Sequence, residues 1–231
     1  MNLLKRIFGS RQNEVWKQLS DELGAEFIKG GVFKASKVKA KTKNWITTLD
    51  TFTVSTGKST IVYTRMRAPF FNKDGFRFLL YRKRLLSGVG KLLGMQDVEI
   101  GGPKFKSLEP LFGLRSYLDP QIIESGDPDF DRDFIIKSND EEKVRLLFKQ
   151  LKIRELIQAQ PTIEFQIKGS KGGWLGRSKN KGIDELYFHV TGVIKDLERL
   201  KLLFELFAEV LNAMHTIGSA SAKQIPSEAS R

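Results

Sequence analysis

A chain of 231 residues with 40% hydrophobic and 29% charged content holds enough apolar material for a real core, which excludes global disorder. It has no cysteine and two histidines, His189 and His215. Disulfides, thiolate catalysis and cysteine-based zinc sites are therefore excluded, and a histidine metal site or Ser-His-Asp triad has little to draw on.

The net charge of +12 is concentrated: residues 1–96 carry 19 Lys and Arg against 6 Asp and Glu, whereas residues 97–231 carry 20 against 21. This asymmetry predicts an anionic partner for the first half, whether membrane headgroups, nucleic acid or an acidic protein. The alternative is a basic surface that serves solubility or faces the acidic residues of its own second half.

Residues 1–11 read as a basic amphipathic segment. Leu3, Leu4, Ile7 and Phe8 lie on one side and Lys5 and Arg6 on the other, the pattern of a short interfacial helix. The two cations break the apolar stretch, so it is not a secretory signal, and no window approaches the ~18 to 20 apolar residues that span a bilayer. The chain is expected in the cytoplasm, at most peripheral at the inner face of the membrane.

Asn13 is predicted to cap a helix over residues 14–23, with Val15, Trp16, Leu19 and Leu23 on one face and Gly24 as the stop. Residues 47–54 are rich in β-branched and aromatic types and read as a strand. The Ser55-Thr56-Gly57-Lys58 turn follows, then a strand over 60–67 with Ile61 and Tyr63 on one side and Val62 and Met66 on the other. Asn72-Lys73-Asp74-Gly75 signals a second turn into a strand over 76–82, giving an N-terminal β-meander. Residues 84–93 read as a short basic amphipathic helix weakened by Gly88 and Gly90. Residues 103–128, with Pro103, Pro110, Pro120 and Pro128, read as an irregular insertion or connection.

In the second half, Phe130, Phe134 and Ile136 are predicted to share one face of a strand. Ser138-Asn139-Asp140-Glu141 reads as a capping box that opens a helix with Val144, Leu147, Phe148 and Leu151 inward. A further helical turn carries Leu156 and Ile157 and is closed by Pro161. Ile163, Phe165 and Ile167 alternate in one strand, and Leu186, Phe188 and Val190 in the next. A long amphipathic helix over 195–214 presents Leu197, Leu200, Phe204, Phe207, Leu211 and Met214. The predicted class is α+β, an antiparallel sheet with an N-terminal meander and then β-α-β-β-α order, the long C-terminal helix packed on it. Residues 12–218 form the single expected domain, and the Ser/Ala-rich tail, 219–231, has nothing to bury and is expected to be disordered.

The run from Phe130 to Asp140, the helix end Ile153-Arg-Glu-Leu-Ile157 and the helix start Val193-Ile-Lys-Asp-Leu-Glu-Arg-Leu200 together resemble a family of uncharacterised bacterial proteins. So do Tyr63-Thr-Arg-Met-Arg-Ala-Pro69 and Gly75-Phe-Arg-Phe78. The likeness covers most of 12–218, with residues 103–127 as added material. It implies a bacterial single-domain protein and supplies no catalytic residue to carry over.

Two basic constellations are the candidate sites. Lys37, Lys39, Lys41 and Lys43 alternate along the chain, so an extended strand puts all four ammoniums on one face, and with Lys29 and Lys34 they fall in an acid-free window over residues 27–49. Such a row suits a polyanionic backbone or a lipid surface; the alternative is an edge strand that uses lysines against aggregation. The glycine-rich loop over 169–182 carries Lys171, Trp174, Arg177, Lys179 and Lys181 and no acid. Trp174 suits insertion into a membrane interface or stacking on a base; the commoner fate is to fold back on its own surface or to complete a dimer, so a homo-oligomer is left open.

Asp127, Asp129, Asp131 and Asp133 also alternate, but the calcium-loop pattern would need glycine where Arg132 stands and glutamate where Ser138 stands. A solvated acidic strand is the expectation, and no metal. Glycine-rich stretches match neither phosphate-binding motif, so no nucleotide or other cofactor is implied. His189 is expected to be a surface or satisfied histidine. The expected function is a non-enzymatic binding or accessory module whose basic face meets an anionic membrane surface. One alternative is nucleic-acid binding, and a further one is a hydrolase using carboxylates such as Asp50, Asp131 or Asp133.

Overall fold

The computed structural model describes residues 3–31, 34–55, 60–83, 121–169 and 182–222, with side chains from Arg11 onward. The predicted helix over 84–93 and the loop residues Lys171, Trp174, Arg177, Lys179 and Lys181 lie outside the described residues.

Helix α1 (Leu3–Leu23) starts well before the predicted cap, and Asn13 lies inside it and serves a tertiary contact instead. Its Oδ1 accepts a hydrogen bond from Ser36 Oγ at 2.6 Å. Trp16 and Leu19 on its inner face are fully buried, and Trp16 donates its indole N–H to Ile194 O at 3.1 Å. Gly24, at φ +59°, ends the helix in the left-handed region that glycine adopts without steric cost.

Strands β1 (Glu26–Ile28), β2 (Lys37–Thr42), β3 (Trp45–Ser55) and β4 (Thr60–Asn72) form an antiparallel meander, in which β3 and β4 are the hairpin expected over 47–54 and 60–67 and β1 is additional. It ends there. Strand β5 (Phe78–Arg82) does not pair with β4; it pairs instead with β8 (Glu164–Gly169) and β7 (Phe134–Ser138). Strand β9 (Ile183–Thr191) takes the free side of β4 from Thr64 to Phe71, so β8 and β9 separate β4 from β5. Asn72 organises the departure: its Nδ2 donates to Phe76 O and to Asp184 Oδ2, and its Oδ1 accepts from Gly75 N. With β6 (Gln121–Ile123) at the far edge, the order is β1-β2-β3-β4-β9-β8-β5-β7-β6.

Several local expectations are corrected. The stretch expected to be irregular up to residue 128 contains β6, which closes the sheet edge against β7. Phe130 is not in a strand. It lies in α2 (Pro128–Asp133), capped by Asp127, whose carboxylate accepts from Asp129 N and Phe130 N, with proline pre-set at the first helical position. Phe130 is still buried, its ring 4.5 Å from that of Phe134. The next helix, α3 (Glu141–Phe148), is capped by Asp140, which accepts from Lys143 N, while Ser138 binds Asp140 N one step earlier. After Gly218 the chain does find something to bury. Ser219 and Ala220 have no exposed surface, and β10 (Ala220–Ser221) pairs with the end of β4.

The described helices pack on one face of the sheet. Helix α4 (Leu151–Gln158) and the long α5 (Leu197–Thr216), capped by Asp196, complete the helical layer. The strand residues pointing into it are Val38, Ala40, Leu49, Met66, Ala68, Phe78, Leu80, Phe165 and Phe188, and α5 meets them with Leu200, Phe204, Phe207, Leu211 and Met214. Phe207 sets its ring edge-on to Phe165 at 5.4 Å. The outcome is an α+β architecture with one covered sheet face and a second face that carries no described helix.

Candidate functional site: the second sheet face

The strand register lays out the second face. One row crosses the sheet from edge to edge: Glu26, Lys39, Thr48, Arg67, Tyr187, Gln166, Leu79, Lys137 and Ile122 stand opposite one another in turn. Because side chains alternate with period two, the residues two steps along each strand share this face.

Its β1–β3 end carries the lysine row. Val38 and Ala40 of β2 are buried toward the helices, so Lys37, Lys39 and Lys41 point to the free face. Lys43 follows in the β2–β3 turn at φ +54°. These four, together with Lys29 and Lys34, form no ion pair with a described residue. By contrast Arg65, Arg67, Arg77 and Arg82 each sit against a carboxylate. Ile28, opposite Lys37, and Ile46, opposite Lys41, are exposed beside the row at 41% and 45%. The edge-guard explanation needs correction: β2 is the second strand, and β1 covers it along Lys37 to Lys39. Trp45, the nearest aromatic in sequence, faces the helices and donates to Asn212 Oδ1 at 3.0 Å, so it offers this row no stacking surface.

The second basic constellation is reached only at its stems. Gly169 and Gly182, which flank it, stand beside Asp184 and Phe71, at the Phe71 end of β4. Lys37 stands toward the other end of the sheet; Lys43 is level with the stems, but β3 and β4 lie between β2 and β9, so the structure does not bring the two basic constellations together at any described residue.

The centre of the face is a polar and aromatic cluster. Asp50 on β3, 2% exposed, accepts from Arg65 Nε at 2.7 Å, Arg65 Nη2 at 2.8 Å and Arg67 Nη2 at 2.9 Å. The Arg65 guanidinium also lies over the Phe52 ring at 5.0 Å, and Phe52 stacks on Tyr63 with centroids 5.0 Å apart. Glu164, Gln166, Tyr187 and Tyr81 are buried here although no described helix lies on this side. Gln166 Nε2 donates to Glu164 Oε1 at 3.1 Å, and His189 Nδ1 lies 3.6 Å from the same oxygen, beyond hydrogen-bond length.

Burial pushes the Glu164 carboxyl up to about 8, against a small opposing pull from Lys168. Burial also pulls the His189 imidazole down to about 4, helped by the nearby charges of Lys168 and Arg65. At neutral pH the contact is thus a carboxylic acid beside a neutral imidazole and not an ion pair. Burial raises the Tyr187 hydroxyl as well.

His189 is therefore neither at the surface nor satisfied: its Nδ1 is buried without a hydrogen-bond partner. Sequence inspection missed this cluster. The usable signal was the alternation of Glu164, Gln166 and Lys168 with Ile163, Phe165 and Ile167, which puts three polar groups on one side of a central strand.

The acidic and hydrolase candidates are not assembled. Asp129, Asp131 and Asp133 lie on α2 and not on a strand; Asp131 accepts from Ser125 N and Asp133 lies 3.7 Å from Arg82. Asp50 is five strand spacings away across the sheet, roughly 24 Å. Among the described residues no group of three or more His, Asp or Glu could hold a metal ion, and no helix is long and apolar enough to cross a membrane.

Comparison of the chain with protein-family models, with curated proteins and with solved structures finds no match.

Proposed function

We propose that the protein is a binding module that docks on an anionic phospholipid surface through the lysine row of β2. The observation that carries this is the run of cations without carboxylate partners among the described residues, on the sheet face that carries no described helix, interleaved with the exposed aliphatics Ile28 and Ile46. Leaving such cations unpaired keeps a positive potential directed outward, and aliphatic neighbours suit the headgroup boundary, where both are satisfied together. Juxtamembrane cations contribute about 1 kcal/mol each near an anionic leaflet. A membrane-side role at the inner face of the bacterial membrane, without catalysis, follows from this proposal.

Nucleic-acid binding is the second reading. It is favoured by Phe52 and Tyr63, half-buried on the same face. Their rings stack on each other, which leaves one π-face of each at most for a base.

Co-sedimentation separates the two. Vesicles of phosphatidylcholine with 30% phosphatidylserine should pellet the chain, pure phosphatidylcholine should not, and added salt should release it. The triple variant Lys37→Glu, Lys39→Glu, Lys41→Glu should abolish pelleting with the fold intact by circular dichroism. Equal pelleting with both vesicle types, together with salt-sensitive binding of single-stranded RNA, would sink the membrane reading.

A further inference from the structure

The helical layer carries a short charged stripe with a leucine at its centre. On α3, Glu142, Leu146 and Lys149 are spaced by four and then three residues. That spacing puts them on one face of the helix over roughly 10 Å. Lys149 is the C-cap and keeps right-handed helical backbone, so it continues the stripe. Val144, Leu147 and Phe148 are buried on the opposite side, which turns the stripe outward. Leu146 is 46% exposed, and Leu151, the first residue of α4, is 60% exposed.

The charges of this stripe are unspent within the described residues. Glu142 and Lys149 form no ion pair there, whereas their neighbours do: Arg145 with Glu141 at 2.6 Å, Lys152 with Glu205 at 2.8 Å and Arg154 with Asp127 at 3.1 Å. The acidic end is the start of α3. The basic end adjoins the start of α4, where Gln150 makes no side-chain cap hydrogen bond, so the positive end of that helix adds to Lys149.

A stripe that reads acid, leucine, base is complementary to itself only when reversed. Two copies laid antiparallel set Glu142 of each beside the partner's Lys149. Leu146 then meets the partner's Leu146 near the two-fold axis, with Leu151 just beyond each charge pair. A parallel alignment would set like charge against like.

We propose that the chain self-associates through α3, as a two-fold dimer in which the two α3 helices run antiparallel. Two ion pairs and a few leucines make a small contact of the transient class, with a Kd on the order of 10–100 µM. The stripe lies on the side of the sheet opposite the lysine row, so the proposal stands apart from the membrane reading. Vesicle assays run well below that Kd read the monomer.

Sedimentation velocity at low salt, from about 1 to about 500 µM protein, tests this without lipid. The chain should pass from monomer to dimer, and Leu146→Ser should raise the midpoint about tenfold. Glu142→Lys alone and Lys149→Glu alone should each stay monomeric, because each sets two like charges together at both ends of the contact. An equimolar mixture of those two variants should associate again, since lysine 142 of one then faces glutamate 149 of the other. The double variant Glu142→Lys, Lys149→Glu should dimerise like the parent chain. Circular dichroism of each variant confirms that α3 is retained.

A monomer over the whole range overturns the proposal. So does a dimer that survives Glu142→Lys and Leu146→Ser, which would place the contact elsewhere. Folded single variants that do not associate on mixing, together with a monomeric double variant, overturn the antiparallel pairing.

Discussion

At the scale of single residues, Glu164 and His189 set the pH response of the centre. The Glu164 carboxyl is raised to about 8 in the folded chain and ionises near its ordinary value of 4.5 when unfolded. Between those values the native state holds a proton that the unfolded state has lost, so stability falls as pH rises toward 8. His189 has the opposite sign: lowered to about 4 from 6.5, it makes stability fall as pH drops from 6.5 toward 4. The two slopes oppose each other between about 4.5 and 6.5, and above that Glu164 acts alone. Urea unfolding should therefore show a loss of about 1–2 kcal/mol between pH 6.5 and 8, and Glu164→Gln should flatten it. A slope unchanged in that variant would assign the effect to another group.

Asp50 makes a second prediction at this scale. Removing its carboxylate by Asp50→Ala strands two guanidiniums whose side chains are only 23% and 28% exposed. The expected loss is about 2 kcal/mol in urea unfolding, below the cost of a fully buried pair because water still reaches the arginines.

Elements differ in how much of their fate is local. Helix α5 is predicted from its own apolar stripe, and it forms within two residues of the expected limits. Its aromatic contacts decide how tightly it holds the sheet. Phe207→Ala should cost about 4 kcal/mol, since the ring is fully buried against Phe165. Asp196→Ala at its cap should cost about 1 kcal/mol, because the carboxylate accepts from Arg199 N. The short β10 shows the reverse case. Alternation cannot flag a two-residue strand, yet Lys73 N donates to Ser219 O at 3.0 Å and Ser219 Oγ donates to Asp74 at 2.8 Å. Truncation after Gly218 should lower stability by about 2 kcal/mol, read as a shift in the urea midpoint at constant slope.

For the whole molecule, the sheet order decides which charges act together. Strand β2 puts the lysines on the free face, and β9 and β8 lie between β4 and β5. Binding to anionic vesicles should therefore fall steeply with salt and vanish in the Lys37, Lys39, Lys41 charge-reversal variant. Charge reversal on α3, as in Arg145→Glu, should leave binding unchanged, since that helix packs on the other face.

The α+β class, the hairpin of β3 and β4, the long last helix and the one-sided lysine row follow from period-two and period-3.6 patterns, which are local properties of the chain. Asn13, Ser138 and Phe130 were misassigned because residue type favours a cap or a strand, and a neighbour distant in sequence or a stronger adjacent cap took precedence. Only the tertiary structure decided that β5 leaves β4 and that Glu164 and His189 meet. Each depends on strand order, and strand order is set by burial of both sheet faces together, a free energy that no single segment contains.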